Sequence, residues 1–223
     1  LDRQVTSTVQ LDASFFQPFF MTSDAPPRLR EAYQTFQANK THETRLALEA
    51  FLKSSPGHKL SMRARFMLAY IEARAERYKE AAALYNTVSQ SYPILADHAR
   101  YYGARAATKA GDFALAESLC LKISMASRFG ARSKLLRGRS LLKQRRLVQA
   151  VEVLETVVRD FPKMSWHREA RLELARAYEL SMRLDEAARI YQALRMRYPG
   201  SSVEKRAEAG IERLRGQLSP TDI

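Results

Sequence analysis

The 223-residue chain carries 37 lysines and arginines against 24 acidic residues, a net charge of +13 with a pI near 10.1. Its field therefore favours acidic partners: an acidic protein, nucleic acid, anionic lipid or an anionic polymer. With 8 glycines and 8 prolines beside 46 % apolar residues, the composition leans to helix and away from turn-rich β-sandwiches. No run approaches the ~18 apolar residues of a membrane span, since the Phe15–Met21 stretch is short and Pro18 interrupts it.

The first element, residues 1–27, reads as an extended, aromatic-bearing lead-in. It opens on Leu1 without a basic-then-apolar leader, which points to a fragment or a processed product. Ser23 or Asp24 is a candidate helix cap ahead of Pro26-Pro27. Residues 28–61 read as an atypical helix pair, Arg28 to Ala38 and Thr44 to Ser54, ending at Pro56.

From 62 to 199 the chain repeats four times. The second helices open at Tyr78, Phe113, Leu147 and Leu184, spaced by 35, 34 and 37 residues. Small residues recur at Ala69, Ala104, Gly138 and Ala175 in the first helices, answered by Ala81, Ala116, Ala150 and Ala187 in the second. Axes packed ~8–10 Å apart need small side chains where they cross. Large residues three and four positions beyond the second alanine complete an apolar stripe: Leu84 and Tyr85, Leu119 and Cys120, Val153 and Leu154, Ile190 and Tyr191. Pro93, Pro162 and Pro199 stop the second helices, because proline cannot continue the hydrogen-bond ladder. Cys120 lies on this stripe and reads as a small buried hydrophobe.

This pattern resembles the tetratricopeptide repeat, whose period is about 34 residues. The resemblance implies an all-α fold of tandem antiparallel helix pairs, a right-handed superhelix or α-solenoid. The final segment, 200–223, contributes one capping helix with Ala207, Ile211 and Leu214 inward, and a tail.

In such arrays the first helix of each pair lines the concave face. The expected groove comprises Arg63, Phe66, Tyr70 and Arg74, then His98, Tyr101, Arg105 and Lys109. Arg132, Leu135, Arg139 and Lys143 follow, then Glu169, Leu172, Arg176 and Glu179. It combines ladders of cations with an apolar rail of Phe66, Tyr101, Leu135 and Leu172, suited to an extended acidic peptide or a carboxylated polymer. The alternative is that a basic protein carries arginine on any wet helix face. Ser118 to Val151, with nine basic and no acidic residues, keeps the groove as a reading beside it. The lysine–asparagine clamp for peptide carboxylates known in some tetratricopeptide domains is not matched here.

No constellation supports catalysis, and no cofactor is implied. His42, His58, His98 and His167 are scattered without metal-ligand spacing. There is no glycine-rich phosphate loop and no nucleophile with a paired base.

A narrower resemblance rests on Leu46 to Leu52, Ala64 to Ala69 and Tyr92 to Tyr102. These runs look like the helical region ahead of the catalytic domain in soluble lytic transglycosylases. That resemblance implies a periplasmic or envelope protein acting beside peptidoglycan, with the catalytic domain outside this chain. Glu117-Ser118 resembles the family's acid and serine but falls inside a repeat helix beside Leu119 and Cys120, so it is rejected as the acid. The rival readings are a stand-alone adaptor for envelope assembly or secretion and, less favoured, a nucleic-acid-binding repeat, which no base-reading module supports.

Overall fold

A computed structural model of the chain describes residues 11–22 and 25–216. Among these residues it contains twelve α-helices and no strand. They divide into two compact units, one ending at Phe129 and one beginning at Gly130. The array expected over 62–199 therefore spans both units.

The first unit opens with α1 (Ala13–Phe20), capped by Asp12, whose carboxylate accepts from the Phe15 amide. This corrects the extended lead-in: residues 13–20 are helical despite Pro18. Three antiparallel pairs follow: α2 (Pro27–Gln37) with α3 (Thr41–Ser54), α4 (Ser61–Arg74) with α5 (Tyr78–Ser91), and α6 (Ala96–Ala110) with α7 (Phe113–Leu121). Pro26 occupies the N-cap of α2 with Pro27 at its first position, where the missing N–H costs nothing. The candidate caps Ser23 and Asp24 lie outside the described residues. Cys120 is buried in α7, as its place on the stripe implies.

The second unit holds α8 (Gly130–Lys143) with α9 (Leu147–Asp160), α10 (His167–Leu180) with α11 (Leu184–Arg197), and the closing helix α12 (Ser202–Arg215). Ala207, Ile211 and Leu214 of α12 face the core. The outer face of α12 is charged, with Lys205, Arg206, Glu208 and Glu212 in water.

The small-residue positions show why the period is kept. Ala69, Ala104 and Ala175 are fully enclosed. A Cβ built on Gly138 would stand 2.6 Å from Leu154 Cδ2 and 2.7 Å from its Cγ, closer than real contacts come. Leu154 belongs to the facing helix, so this glycine sets the α8–α9 distance.

The turns inside the pairs share one geometry. Asn39, Glu76, Gly111, Arg145 and Met182 each take a positive φ of 58° to 81°. The next residue's amide then reaches back five positions: Lys40 to the Thr35 carbonyl, Arg77 to Glu72, Asp112 to Ala107, Arg146 to Leu141 and Arg183 to Tyr178, all at 2.9–3.0 Å. This is the Schellman closure, which satisfies carbonyls that the helix end would otherwise orphan. Only Gly111 meets the left-handed conformation without a Cβ penalty. The other four positions carry side chains, so glycine does not mark this shared turn in the sequence.

Candidate partner-binding site

The first helices of the first unit, α2, α4 and α6, present one face, and α1 lies across it. Phe16 meets Phe36 of α2 at 5.4 Å and Tyr70 of α4 at 5.5 Å between ring centroids. Phe15 meets Phe66 at 5.8 Å and His98 of α6 at 5.5 Å. The Arg63 guanidinium stands 5.0 Å over the Phe19 ring. As α1 advances from Phe16 to Phe19, its contacts retreat along α4 from Tyr70 to Arg63, so the two helices run antiparallel. Phe16 and Phe20 are fully enclosed, which contributes about 2 kcal/mol each as an upper figure.

Beyond Arg63, Tyr70 and His98, which α1 covers, most of the expected site residues separate into three groups. The apolar rail is not a free surface: Phe66, Tyr101, Leu135 and Leu172 are all buried. Phe66 lies beneath Phe15 and Phe16, and Tyr101 stacks on Phe129 at 4.6 Å. Helices of this length present a face wider than one residue row, so the rail position packs inward against neighbouring helices while the flanking positions reach water.

The second group is neutralised. In the second unit Arg139 donates to Glu173 at 3.1 Å and Arg176 to Glu179 at 2.6 Å. Glu173 also receives Arg206 at 3.4 Å. Glu179 is buried and serves as a hub. Its carboxylate accepts from Tyr191 Oη at 2.7 Å and from Arg213 Nε and Nη2 at 2.8 and 3.0 Å. Burial raises the Glu179 pKa, but the hydrogen bonds from Arg213 and Tyr191 and the charge of Arg176 outweigh it, so the group sits below the ordinary carboxylate range. Of these glutamates, Glu179 was expected on the concave face. They are structural partners of the arginines. The signal was present in the sequence, since Glu173 follows Arg139, and Arg213 follows Glu179, by 34 residues, one repeat. Of the remaining expected residues here, Arg132 is half-buried and Lys143 exposed.

The third group stays open. In the first unit Arg74 and Lys109 are exposed and Arg105 is half-buried. Among the described residues no carboxylate pairs with any of them. Arg74 meets the Asn39 amide oxygen at 3.4 Å and the Tyr70 ring at 6.0 Å. Arg105 stands 5.9 and 5.8 Å over the rings of Tyr101 and Tyr102. Register explains the difference: one repeat on from Arg74 is Lys109, and one repeat before Arg105 is Tyr70. All three lie in the C-terminal halves of α4 and α6. Asp12 sits at the N-terminal end of α1, the end that meets Tyr70, and its charge raises the Tyr70 pKa after the larger effect of burial.

His98 is half-buried between Phe15 and Phe129, the latter at 4.9 Å. Burial, helped by the positive charge of Arg128 and opposed by Asp97, lowers its pKa. Glu117 is buried in α7 and has a partner. Among the described residues no group of three or more His, Cys, Asp or Glu side chains is placed to hold a metal ion, and no helix is long and apolar enough to cross a membrane.

Comparison with known proteins agrees with this architecture. Two family profiles, both described as tetratricopeptide repeat, match residues 29–93 and 141–209, together more than half of the chain. The chain belongs to the tetratricopeptide-repeat family. A tetratricopeptide repeat protein from Parabacteroides merdae superposes with a TM-score of 0.68 at 17 % identity, over 86 % of this chain and 79 % of that one. YrrB, described as a tetratricopeptide protein with an unusual peptide-binding site, gives 0.64 at 15 % identity over 88 % and 99 %. A double mutant of MamA gives 0.61 at 15 % identity over 93 % and 97 %. Identities this low establish the shared fold alone. Comparison of the sequence with characterised proteins returns no match.

Proposed function

We propose that the chain is a non-catalytic scaffold that binds an acidic segment of a protein partner on the first-helix face of its first unit. Arg74, Arg105 and Lys109 are the residues that would receive the partner's carboxylates. The observation that carries this reading is a contrast: Arg139 of α8 and Arg176 of α10 pair with Glu173 and Glu179, whereas these three cations of α4 and α6 have no acidic partner among the described residues. Arg105, held over two tyrosine rings, keeps its fork of donors available for a bidentate carboxylate. The peptide-binding description of YrrB is consistent with a peptide ligand for a solenoid of this type.

A place beside peptidoglycan, as the non-catalytic region of a lytic transglycosylase, has only the loose sequence resemblance as support. No feature of the first-helix face selects a glycan over a peptide.

The test is binding of a fluorescein-labelled, glutamate-rich dodecapeptide to the full chain and to an Arg74→Glu, Arg105→Glu, Lys109→Glu variant. The reversal should weaken binding by at least about tenfold. A control reversal of the exposed Lys79, Lys122 and Lys163 matches the net charge and should have little effect. Equal losses in both variants would show that overall charge, not this face, attracts the peptide.

A further inference from the structure

The aromatic half of the same face has an occupant whose chemistry describes a ligand. Helix α1 belongs to no pair, because the repeats begin at α2. It has eight residues with a proline inside, far below the length at which a helix holds itself together in water. Among the described residues one hydrogen bond ties it to the rest of the unit, from Tyr33 Oη to the Ala13 carbonyl at 3.1 Å. The remainder of its attachment is ring contact through Phe15, Phe16 and Phe19, with Phe20 buried beside them. This is how a short amphipathic helix seats in a receiving groove: apolar anchors at helical spacing and few polar ties.

We propose that α1 is an exchangeable internal ligand. The face of α2, α4 and α6 is then a helix-binding site that accepts, in trans, a partner's short helix of the same kind. The partner chemistry is read from α1 itself: phenylalanines at i, i+1, i+4 and i+5 behind an acidic N-cap, as in Asp12, Phe15, Phe16, Phe19 and Phe20. The acidic cap lies at the end of α1 that meets Tyr70, which Arg74 overlies. Residues N-terminal to such a cap in the partner would continue toward Arg74, Arg105 and Lys109. This inference rests on the scaffold reading above, and extends it by naming the anchor chemistry and the competitor that must leave.

The experiment uses the full chain with a specific protease site inserted between Met21 and Ala25. Cutting turns the tethered helix into a dissociable one without changing any contact residue. A labelled peptide spanning Leu11 to Thr22 is titrated against the cut and uncut proteins. Tethering holds α1 at an effective concentration on the order of millimolar, so the uncut chain should bind the peptide at least about tenfold more weakly than the cut chain after its segment is diluted away. A peptide carrying Phe16→Ser should not bind either protein. The proposal is overturned if the cut protein keeps its segment without exchange, or if losing the segment abolishes the cooperative melt; either makes α1 part of the fold. It is also overturned if uncut molecules exchange α1 between copies into a concentration-dependent dimer, since the site then serves self-association. The glutamate-rich peptide and the Arg74, Arg105, Lys109 reversal report separately on the scaffold reading, so failure of one is not failure of the other.

Discussion

Replacing Glu179 with alanine should destabilise the second unit by about 2–4 kcal/mol. The carboxylate accepts four hydrogen bonds from three residues, at 2.6 to 3.0 Å. Tyr191 is almost fully buried, so its hydroxyl loses its acceptor with no water to replace it, at about 1–3 kcal/mol. Arg176 and Arg213 keep 41 % and 43 % side-chain exposure and can rehydrate, so their two ion pairs add only about 0.5 kcal/mol each. Urea denaturation measures the loss without the screening that guanidinium introduces, and amide exchange in α12 should accelerate first, because Arg213 joins it to α10 through two of these hydrogen bonds. Glu179→Gln keeps the shape but not the charge, and should cost about half as much. The pH dependence has a definite sign. The folded pKa is depressed, so this stabilisation is present above the unfolded value of 4.5 and is lost as pH falls through the folded one. A loss below about 1 kcal/mol for Glu179→Ala, or amide exchange in α12 unchanged, would refute the assignment of Glu179 as the tie between α10 and the closing helix.

Other substitutions probe the repeat itself. Gly138→Ala places a Cβ 2.6–2.7 Å from Leu154 and should cost about 1–3 kcal/mol by overpacking, measured as a fall in the urea midpoint. Met182→Gly relieves a left-handed non-glycine residue at φ 60° on an exposed side chain, and should stabilise by up to about 1 kcal/mol; a lower Tm would refute the turn strain. His98 and His167 both have lowered pKa values, chiefly through burial, with the positive charges of Arg128 and Arg171 adding to it. The unfolded chain therefore binds protons first as pH drops below the ordinary value of 6.5. Stability should fall through that window and level off below the folded pKa. His98→Gln should flatten the slope, read from unfolding midpoints between pH 8 and 5.

The period, the pairing of helices and the small residues at the crossings were legible because each is set locally or repeats. Ala69, Ala104, Gly138 and Ala175 stand one repeat apart, and each meets the same demand for close axes. The closing helix was legible for a related reason, since Ala207, Ile211 and Leu214 are inward at helical spacing. The residue pattern alone thus specifies an all-α repeat in a chain of net charge +13.

Tertiary structure decided which cations remain available and what covers the aromatic face. Arg139 and Arg176 look like Arg74 and Arg105 in one dimension, but repeat stacking brings Glu173 and Glu179 against the first two and no described carboxylate against the others. The lead-in shows the same limit. The Asp12 cap is too little to hold residues 13–20 as a helix alone, with Pro18 in their midst. They are helical because Phe36, Phe66, Tyr70 and His98, from three different helices, converge to receive the phenylalanine rings. Burial of apolar surface depends on where distant residues meet, and that meeting is a property of the folded chain.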